Sequence, residues 1–590
     1  MTDKASGAPL VALVLGPQAA YAVGPGIDEA WPLADVGQRF VGASARLGPR
    51  WVVWSAAASL RGLVDAGIDI ARTWDLAETH RIIHGGWAAT PGHVLAGCRG
   101  LDLAAVPMPR TPRLSGFEGD LFDLADGGDP PLLTTDGHLR ADALTRASDA
   151  RRLRELAVLA LECQASQLEA LGRIGGEHVS RLERTVWSES AAAVLCLELE
   201  RDGLPVDRLA AEDLIAASAG PRARDEADAA SIRSERDRAV LRHAPGRERL
   251  DLRNPTQVRE LLASVGVDVP STRAWVLEPY RLTHPLVDAL LRWRKDERIA
   301  TTYGYRWLDE HVGSDDRLRG GWTASDGAAG RMTAQNGLHN LPAPLRPAIC
   351  ASPGHVFVRA DLGQIEPRVL AVVSADRAFA EATRSDDLYA PVAAKLGADR
   401  PTAKIAVLAA MYGQRSGAAG EALKDLERAY PVAMGLLDRA YDDGVARRAV
   451  RTWGGRLIRF GAAPPQLGEG GGPDAPVGVG SPAESTAGST ASADGSRGRY
   501  ARNAIIQGSA AELFKAWAAT VRHAVRPLGG QIVLCLHDEL LVHVPERHAP
   551  AAAEAVERAL GQASRTWAGT DQVRFVADTS VIRRWSEAKE

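Results

Sequence analysis

His355-Val-Phe-Val-Arg-Ala-Asp-Leu-Gly-Gln-Ile-Glu-Pro-Arg-Val-Leu370 is the stretch on which the reading of this chain turns. Its first half is an apolar, β-branched run that predicts a strand ending in a carboxylate, Asp361. Its second half runs into a helix carrying Glu366 and Arg368. A strand that delivers an Asp to the edge of a sheet can hold a divalent metal, and the same Asp can equally cap the helix that follows. A second carboxylate is needed to separate the two readings.

That carboxylate lies far downstream, in Gln531-Ile-Val-Leu-Cys-Leu-His-Asp-Glu-Leu-Leu-Val-His-Val-Pro545. Two β-branched runs flank His537-Asp538-Glu539, which predicts a hairpin with acidic residues at its tip. Such residues also serve simply as turn formers. Two strand-borne carboxylates from distant parts of a chain are, however, what two-metal phosphoryl transfer requires, with the ions about 4 Å apart.

Working outward, Asp399 to Gly413 predicts a helix capped by Asp399, with Pro401 in its first turn and Gly413 as its stop. Arg400, Lys404, Leu408 and Tyr412 recur at every fourth position and share one face. Ile405, Ala406, Ala409 and Ala410 form an apolar face opposite. Two cations followed by an aromatic suit a polyphosphate and then a base. In Arg499 to Glu512, Arg499, Asn503 and Gln507 form another stripe, suited to minor-groove edges and sugars or to helix packing. The amphipathic run Leu286 to Glu310 interleaves Arg292, Arg294, Lys295 and Arg298 with Trp293. That composition can track a phosphate backbone, or, laced with Asp296 and Glu297, it is a solvated helix face.

At 590 residues the chain is too long for a single core. Hydrophobic residues at 45% and charged residues at 24% are ordinary globular values, and no apolar run approaches the roughly 18 residues of a membrane span. No signal peptide is read, so a soluble cytoplasmic protein is expected. The five cysteines contain no CxxC pair, which argues against zinc and a disulfide framework. A net charge of −4 leaves local patches to decide the partners. Residues 1 to about 180 read as an α/β domain ending in one or two helices over Asp142 to Leu171, with an exposed loop at 118–137. Helix dominates from Val186, with a stop at Asp202-Gly203. Gly/Ser/Pro/Ala-rich sequence from Ala462 to about Ser496 predicts a disordered insertion.

Taken together, these stretches resemble the family A DNA polymerases of the bacterial DNA polymerase I type. ADLGQIEPRVL resembles that family's first palm motif (DYSQIELR), RPTAKIAVLAAMYG its fingers helix and LHDELLV its last palm motif. GRMTAQNGLHNLP resembles the template-binding stretch, and LRNPTQVRELL with RKDERIATTYG the thumb. The likeness covers roughly residues 185 to 590. It implies a multidomain α/β fold: a ribonuclease-H-like, exonuclease-type domain (1–180) followed by a right-hand polymerase domain. Within the latter it places a thumb (185–315), a palm (316–380 and 456–590, with the insertion 462–496) and fingers (381–455).

The resemblance also implies roles. Asp361 and Asp538 would bind two Mg2+ ions, for which Mn2+ can substitute, supported by Glu539. Lys404 would be a proton donor to pyrophosphate, and Arg400 with Lys404 would hold the incoming deoxynucleoside triphosphate. Glu366 would be the steric gate against a ribose 2′-OH, with Gln364, Leu408 and Tyr412 completing the nucleotide site. Arg331, Asn340, Arg368, Arg499, Asn503, Gln507, His537, Lys295 and Arg298 would contact primer–template DNA. The implied activity is template-directed DNA synthesis by a monomer, nucleoid-associated and serving repair or gap filling. A non-catalytic primer–template binding protein is the alternative.

Several positions depart from the family pattern. Leu408 stands where the fingers helix usually has Phe or Tyr, Leu362 replaces a Tyr, Pro367 follows the gate Glu, and Tyr389 replaces a His. The opening strand LVALVLG lacks the DxE of the proofreading exonuclease, Ser59 falls where its second Asp belongs, and Thr145 precedes Asp149 in place of a Tyr. One carboxylate cannot hold two metals, so an inert domain without proofreading is expected. No 5′-nuclease domain is expected either.

Overall fold

Strand β6 (His355–Leu362) is the middle of an antiparallel sheet because both of its edges are taken. The computed structural model describes residues 7–108, 131–413, 418–460, 490–536 and 538–588. Five strands open the chain: β1 (Leu10–Leu15), β2 (Ala19–Gly24), β3 (Ile27–Pro32), β4 (Arg50–Val53) and β5 (Thr73–Asp75), in the order β3-β2-β1-β4-β5. The first three form an antiparallel meander, and β4 and β5 join it in parallel. Trp31, Phe40 and Trp51 fill one face of this sheet, with Phe40 and Trp51 stacked at 4.6 Å.

Helix α1 (Ala150–Gly175) covers the other side. Its N-cap is Asp149, whose carboxylate accepts from the Arg152 N–H at 2.9 Å. Helix α2 (Val179–Asp202) follows almost at once and ends at Gly203 with φ +63°. It begins before the expected change at Val186 and runs unbroken past residues 180–185. Its Ala192 to Leu199 segment lies in one continuous core with both the N-terminal sheet and the later sheet.

The run from Leu286 is two helices, not one. Helix α3 (Pro285–Thr302) ends at Tyr303, Gly304 is extended, and a short helix resumes at Tyr305–His311. Beyond β6 come α4 (Ile365–Ser374) and α5 (Arg400–Tyr412), the latter capped by Asp399 and ended by Gly413 at φ +71°. Its buried face is Ala403, Ala406, Val407, Ala410 and Met411. Ile405, expected on that face, is 53% exposed because the angular step from Ala406 carries it outward.

A 36-residue helix, α6 (Thr490–Val525), threads the molecule and buries Ile506, Phe514 and Trp517. It starts inside the segment 462–496 expected to be disordered, so residues 490–496 are helical; 461–489 lie outside the described residues, as does most of the loop at 118–137. Helix propagation from a long buried segment extends order into flanking sequence of poor intrinsic propensity. The chain closes with β7 (Gln531–Leu536), β8 (Glu539–Pro545), α7 (Ala549–Ala568) and β9 (Ala577–Ile582), giving sheet order β7-β8-β6-β9. No helix among the described residues is long and apolar enough to cross a membrane.

Candidate active site

The antiparallel register places Asp361 opposite Glu539 on one side and opposite Asp578 on the other. The Leu362 N–H donates to the Asp538 carbonyl at 2.9 Å, which draws the β7–β8 turn against the end of β6. Asp361 and Asp538 are thereby neighbours. Burial and the nearby Asp361 carboxylate oppose the charge on Asp538 and push its carboxyl up from 3.8 to about 7, with Glu539 and Glu366 adding to the effect. Burial likewise raises Asp361, against the pull of Arg359.

This carries a stability prediction for the metal-free protein. A carboxyl whose folded pKa lies above its unfolded value binds its proton more tightly when folded. Its contribution to stability is complete below the unfolded pKa of 3.8 and is lost as pH rises to about 7. Asp538→Asn in a chelator should therefore raise stability at neutral pH and above, by roughly 2–4 kcal/mol after discounting for solvent access, with no gain at acid pH. Urea unfolding across that range measures it.

Arg359, two residues before Asp361 on the same face of β6, reaches all three carboxylates around it. Nε donates to Glu539 Oε1 at 2.7 Å, Nη2 to Asp361 Oδ2 at 2.8 Å and Nη1 to Asp578 Oδ2 at 3.4 Å. Trp585 Nε1 donates to the same Glu539 oxygen at 3.0 Å.

A second group joins three of the sequence stretches. Glu366, in the first turn of α4, accepts from the Tyr412 hydroxyl of α5 at 3.1 Å, and Gln507 of α6 hydrogen-bonds to both. Burial raises the Glu366 carboxyl and, with the Glu366 charge, pushes Tyr412 to about 12. Arg331 lies close enough to draw the Glu366 pKa down.

The third group centres on Asp387. It accepts from Gln364 Nε2 at 3.0 Å and from Arg400 Nε at 2.5 Å, while Gln364 Oε1 accepts from the Leu388 N–H at 2.8 Å. Gln364 holds a left-handed backbone, φ +54°, at the β6–α4 turn. Arg400 and Lys404 are exposed on the outward face of α5, and Leu408 and Tyr412 are half-buried below them.

Other expected contacts divide. Arg368 is fully buried, and its guanidinium donates to the carbonyls of Gly363, Thr383, Ser385, Asp386 and Arg574. It is a tie between α4 and the segments beside it, so its assignment to DNA contact is corrected: helical phase turns it inward. Arg298 donates to the Asn340 carbonyl at 3.0 Å, and Lys295 and the Asn340 side chain are exposed. Trp293 is buried and donates to Asp237 at 2.9 Å, so it is a core residue and offers no ring for stacking. Arg499 is exposed beside Gly413, where a Cβ would come within 2.9 Å of its Cγ. Asn503 is buried, and its Oδ1 has no partner among the described residues. His537 lies outside the described residues.

Sequence reasoning missed Arg359, Asp387 and Asp578. The period of two along β6 pointed to Arg359, whereas Asp387 and Asp578 owe their places to packing and register.

A four-stranded antiparallel sheet presenting Asp361 and Asp538, with an outward Arg400/Lys404 stripe on a separate helix, defines a palm-and-fingers polymerase fold. The family model for DNA polymerase family A matches residues 229–587, and the chain belongs to that family. It is 28% identical over 351 residues to the thermostable DNA polymerase I of Thermus filiformis, a match covering 54% of this chain and 38% of the relative. It is 28% identical over 325 residues to DNA polymerase I of Chloroflexus aurantiacus, covering 50% and 32%. The chain thus spans less than two fifths of the length of these relatives. A solved structure, the POL domain of Pol1 from M. smegmatis in complex with DNA primer-template and dNTP, superposes with a TM-score of 0.65 at 20% identity. That match covers 98% of this chain and 96% of the other.

Proposed function

We propose that this chain is a template-directed DNA polymerase that extends a primer 3′-OH with deoxynucleotides by two-metal phosphoryl transfer. The observation that carries this reading is the meeting of Asp361 and Asp538 at the end of one antiparallel sheet, beside a half-buried Glu366. Among the described residues no cluster of three or more His, Cys, Asp or Glu forms a ready metal cage. Two carboxylates without such a cage fit magnesium, which takes one or two carboxylates and fills its octahedron with water and substrate phosphate. Manganese can substitute. When bound, the ions activate the attacking oxygen and neutralise charge at the phosphate.

The remaining roles belong to the chain. Arg400 exchanges Asp387 for the triphosphate, a stronger bidentate partner, and Lys404, one turn on, donates a proton to the leaving pyrophosphate. Glu366, fixed by Tyr412 and Gln507, stands against the sugar, and Gln364 sets the turn beneath it. Glu539 supports the metal site, Leu408 borders the nucleotide and Tyr412 faces the template base. Arg331, Asn340, Arg499, Asn503, Gln507, His537, Lys295 and Arg298 are assigned to contact with the primer–template duplex. We divide the polymerase region into a thumb over 185–315, fingers over 381–455 and a palm over 316–380 and 456–590. The N-terminal domain is a structural remnant without proofreading, since Asp149 is engaged as a helix cap and Ser59 is buried. We assign the protein to gap filling or repair as a cytoplasmic, nucleoid-associated monomer.

Extension of a labelled primer on a template with magnesium and deoxynucleotides tests this reading. Tight duplex binding with no incorporation returns the alternative, a binding protein derived from a polymerase, which the Arg359 ion pair to Asp361 favours. Glu366→Ala should lower discrimination against ribonucleotides by about 10–100-fold, because a lost steric contact is worth about 1–3 kcal/mol. Paired extension with ribo- and deoxynucleotides measures it, and unchanged selectivity removes Glu366 from the gate.

A further inference from the structure

We infer that Arg359 is a resident cation that competes with divalent metal for Asp361 and so sets the metal affinity of this site; the inference rests on the two-carboxylate metal reading proposed above.

Three observations carry it. The guanidinium is buried, with only 7% of Arg359 exposed, and sits among carboxylates from three strands: Asp361 of β6, Glu539 of β8 and Asp578 of β9. Its bonds of 2.7 and 2.8 Å to Glu539 and Asp361 use separate nitrogens, the fork geometry that arginine offers and lysine lacks. The Asp361 oxygen that it holds belongs to a carboxylate the metal also needs. Either the ion displaces this bond or it accepts a ligand whose electron density is already drawn toward a positive charge.

The charge acts even where the bond does not break. A fixed positive charge within a few ångströms of a dication opposes its entry, and in a partly buried site that repulsion is only weakly screened. A residue that only propped the sheet would leave a looser, weaker metal site when removed. A competing cation predicts the opposite sign, and this separates the two roles. The same geometry explains why Glu539, engaged by both Arg359 and Trp585 Nε1, supports the site from behind.

The experiment is direct titration of Mn2+ into the full chain without DNA or nucleotide, read by electron paramagnetic resonance of the free ion. It is run at about pH 9 so that proton competition at the carboxylates drops out. Wild type is compared with Arg359→Gln, which keeps hydrogen bonds but no charge, with Arg359→Met as a second neutral variant, and with Arg359→Lys and Asp361→Asn. Both neutral variants should bind Mn2+ at least about tenfold more tightly. Arg359→Lys should stay near wild type, and Asp361→Asn should lose binding. Equal or weaker affinity in a neutral variant that retains its native circular dichroism overturns the inference while leaving the metal site standing. No binding in wild type or in the neutral variants overturns the metal reading and the inference with it.

Discussion

Asp361→Ala and Asp538→Ala are each expected to cut primer extension by at least about 10³-fold, some 4 kcal/mol of transition-state stabilisation. Duplex binding and the fold should be intact. Among the described residues no neighbouring carboxylate can take their place. Glu539 is held by Arg359 and Trp585, Glu366 is bound to Tyr412, and Asp578 points to solvent with its side chain 72% exposed. The double variant should fall little further than either single one, because residues that act as a unit are not additive. Single-turnover incorporation measures the loss. Wild-type rates in either variant would remove the two-carboxylate mechanism from this protein.

Glu189→Ala should destabilise the protein by about 3–5 kcal/mol, the largest stability effect we expect from one side chain. Glu189 of α2 is fully buried and pairs with Lys515 Nζ of α6 and with Arg456 Nη2 at 2.9 Å, both also buried. Removing it leaves two cations in the core with too few partners. Lys515 also donates to the carbonyls of Gly330 at 2.6 Å and Ala324 at 3.3 Å. That fixes the segment leading to Arg331, so the variant should also weaken binding of primer–template. Denaturant unfolding gives the first quantity and duplex titration the second. A loss under about 1 kcal/mol would show that water reaches this cluster, since only a desolvated charge carries so large a penalty.

How much of this was legible beforehand differs by residue. The α5 stripe was readable because a period of 3.6 fixes which residues share a face, and Arg400 and Lys404 do look outward. The same rule failed for Ile405, at the edge of the apolar arc, where one step of rotation decides exposure. Arg368 was misread because a motif position does not say whether a guanidinium meets solvent or carbonyl oxygens. The insertion was bounded too generously at its C-terminal end, since composition reports local propensity and the long buried run of α6 supplies the tertiary contacts that outweigh it.

Local pattern alone determined that β6 carries Asp361 near its end, that a hairpin carries Asp538, and that a capped helix bears Arg400 and Lys404, because strand and helix periods and turn residues are properties of short segments. Only the tertiary structure decided which charges meet. Arg359 faces Asp361, Glu539 and Asp578 through the register of three strands, and Asp387 holds both Gln364 and Arg400. Electrostatic neighbours depend on distances of a few ångströms between separate elements of the chain, and no local propensity encodes them.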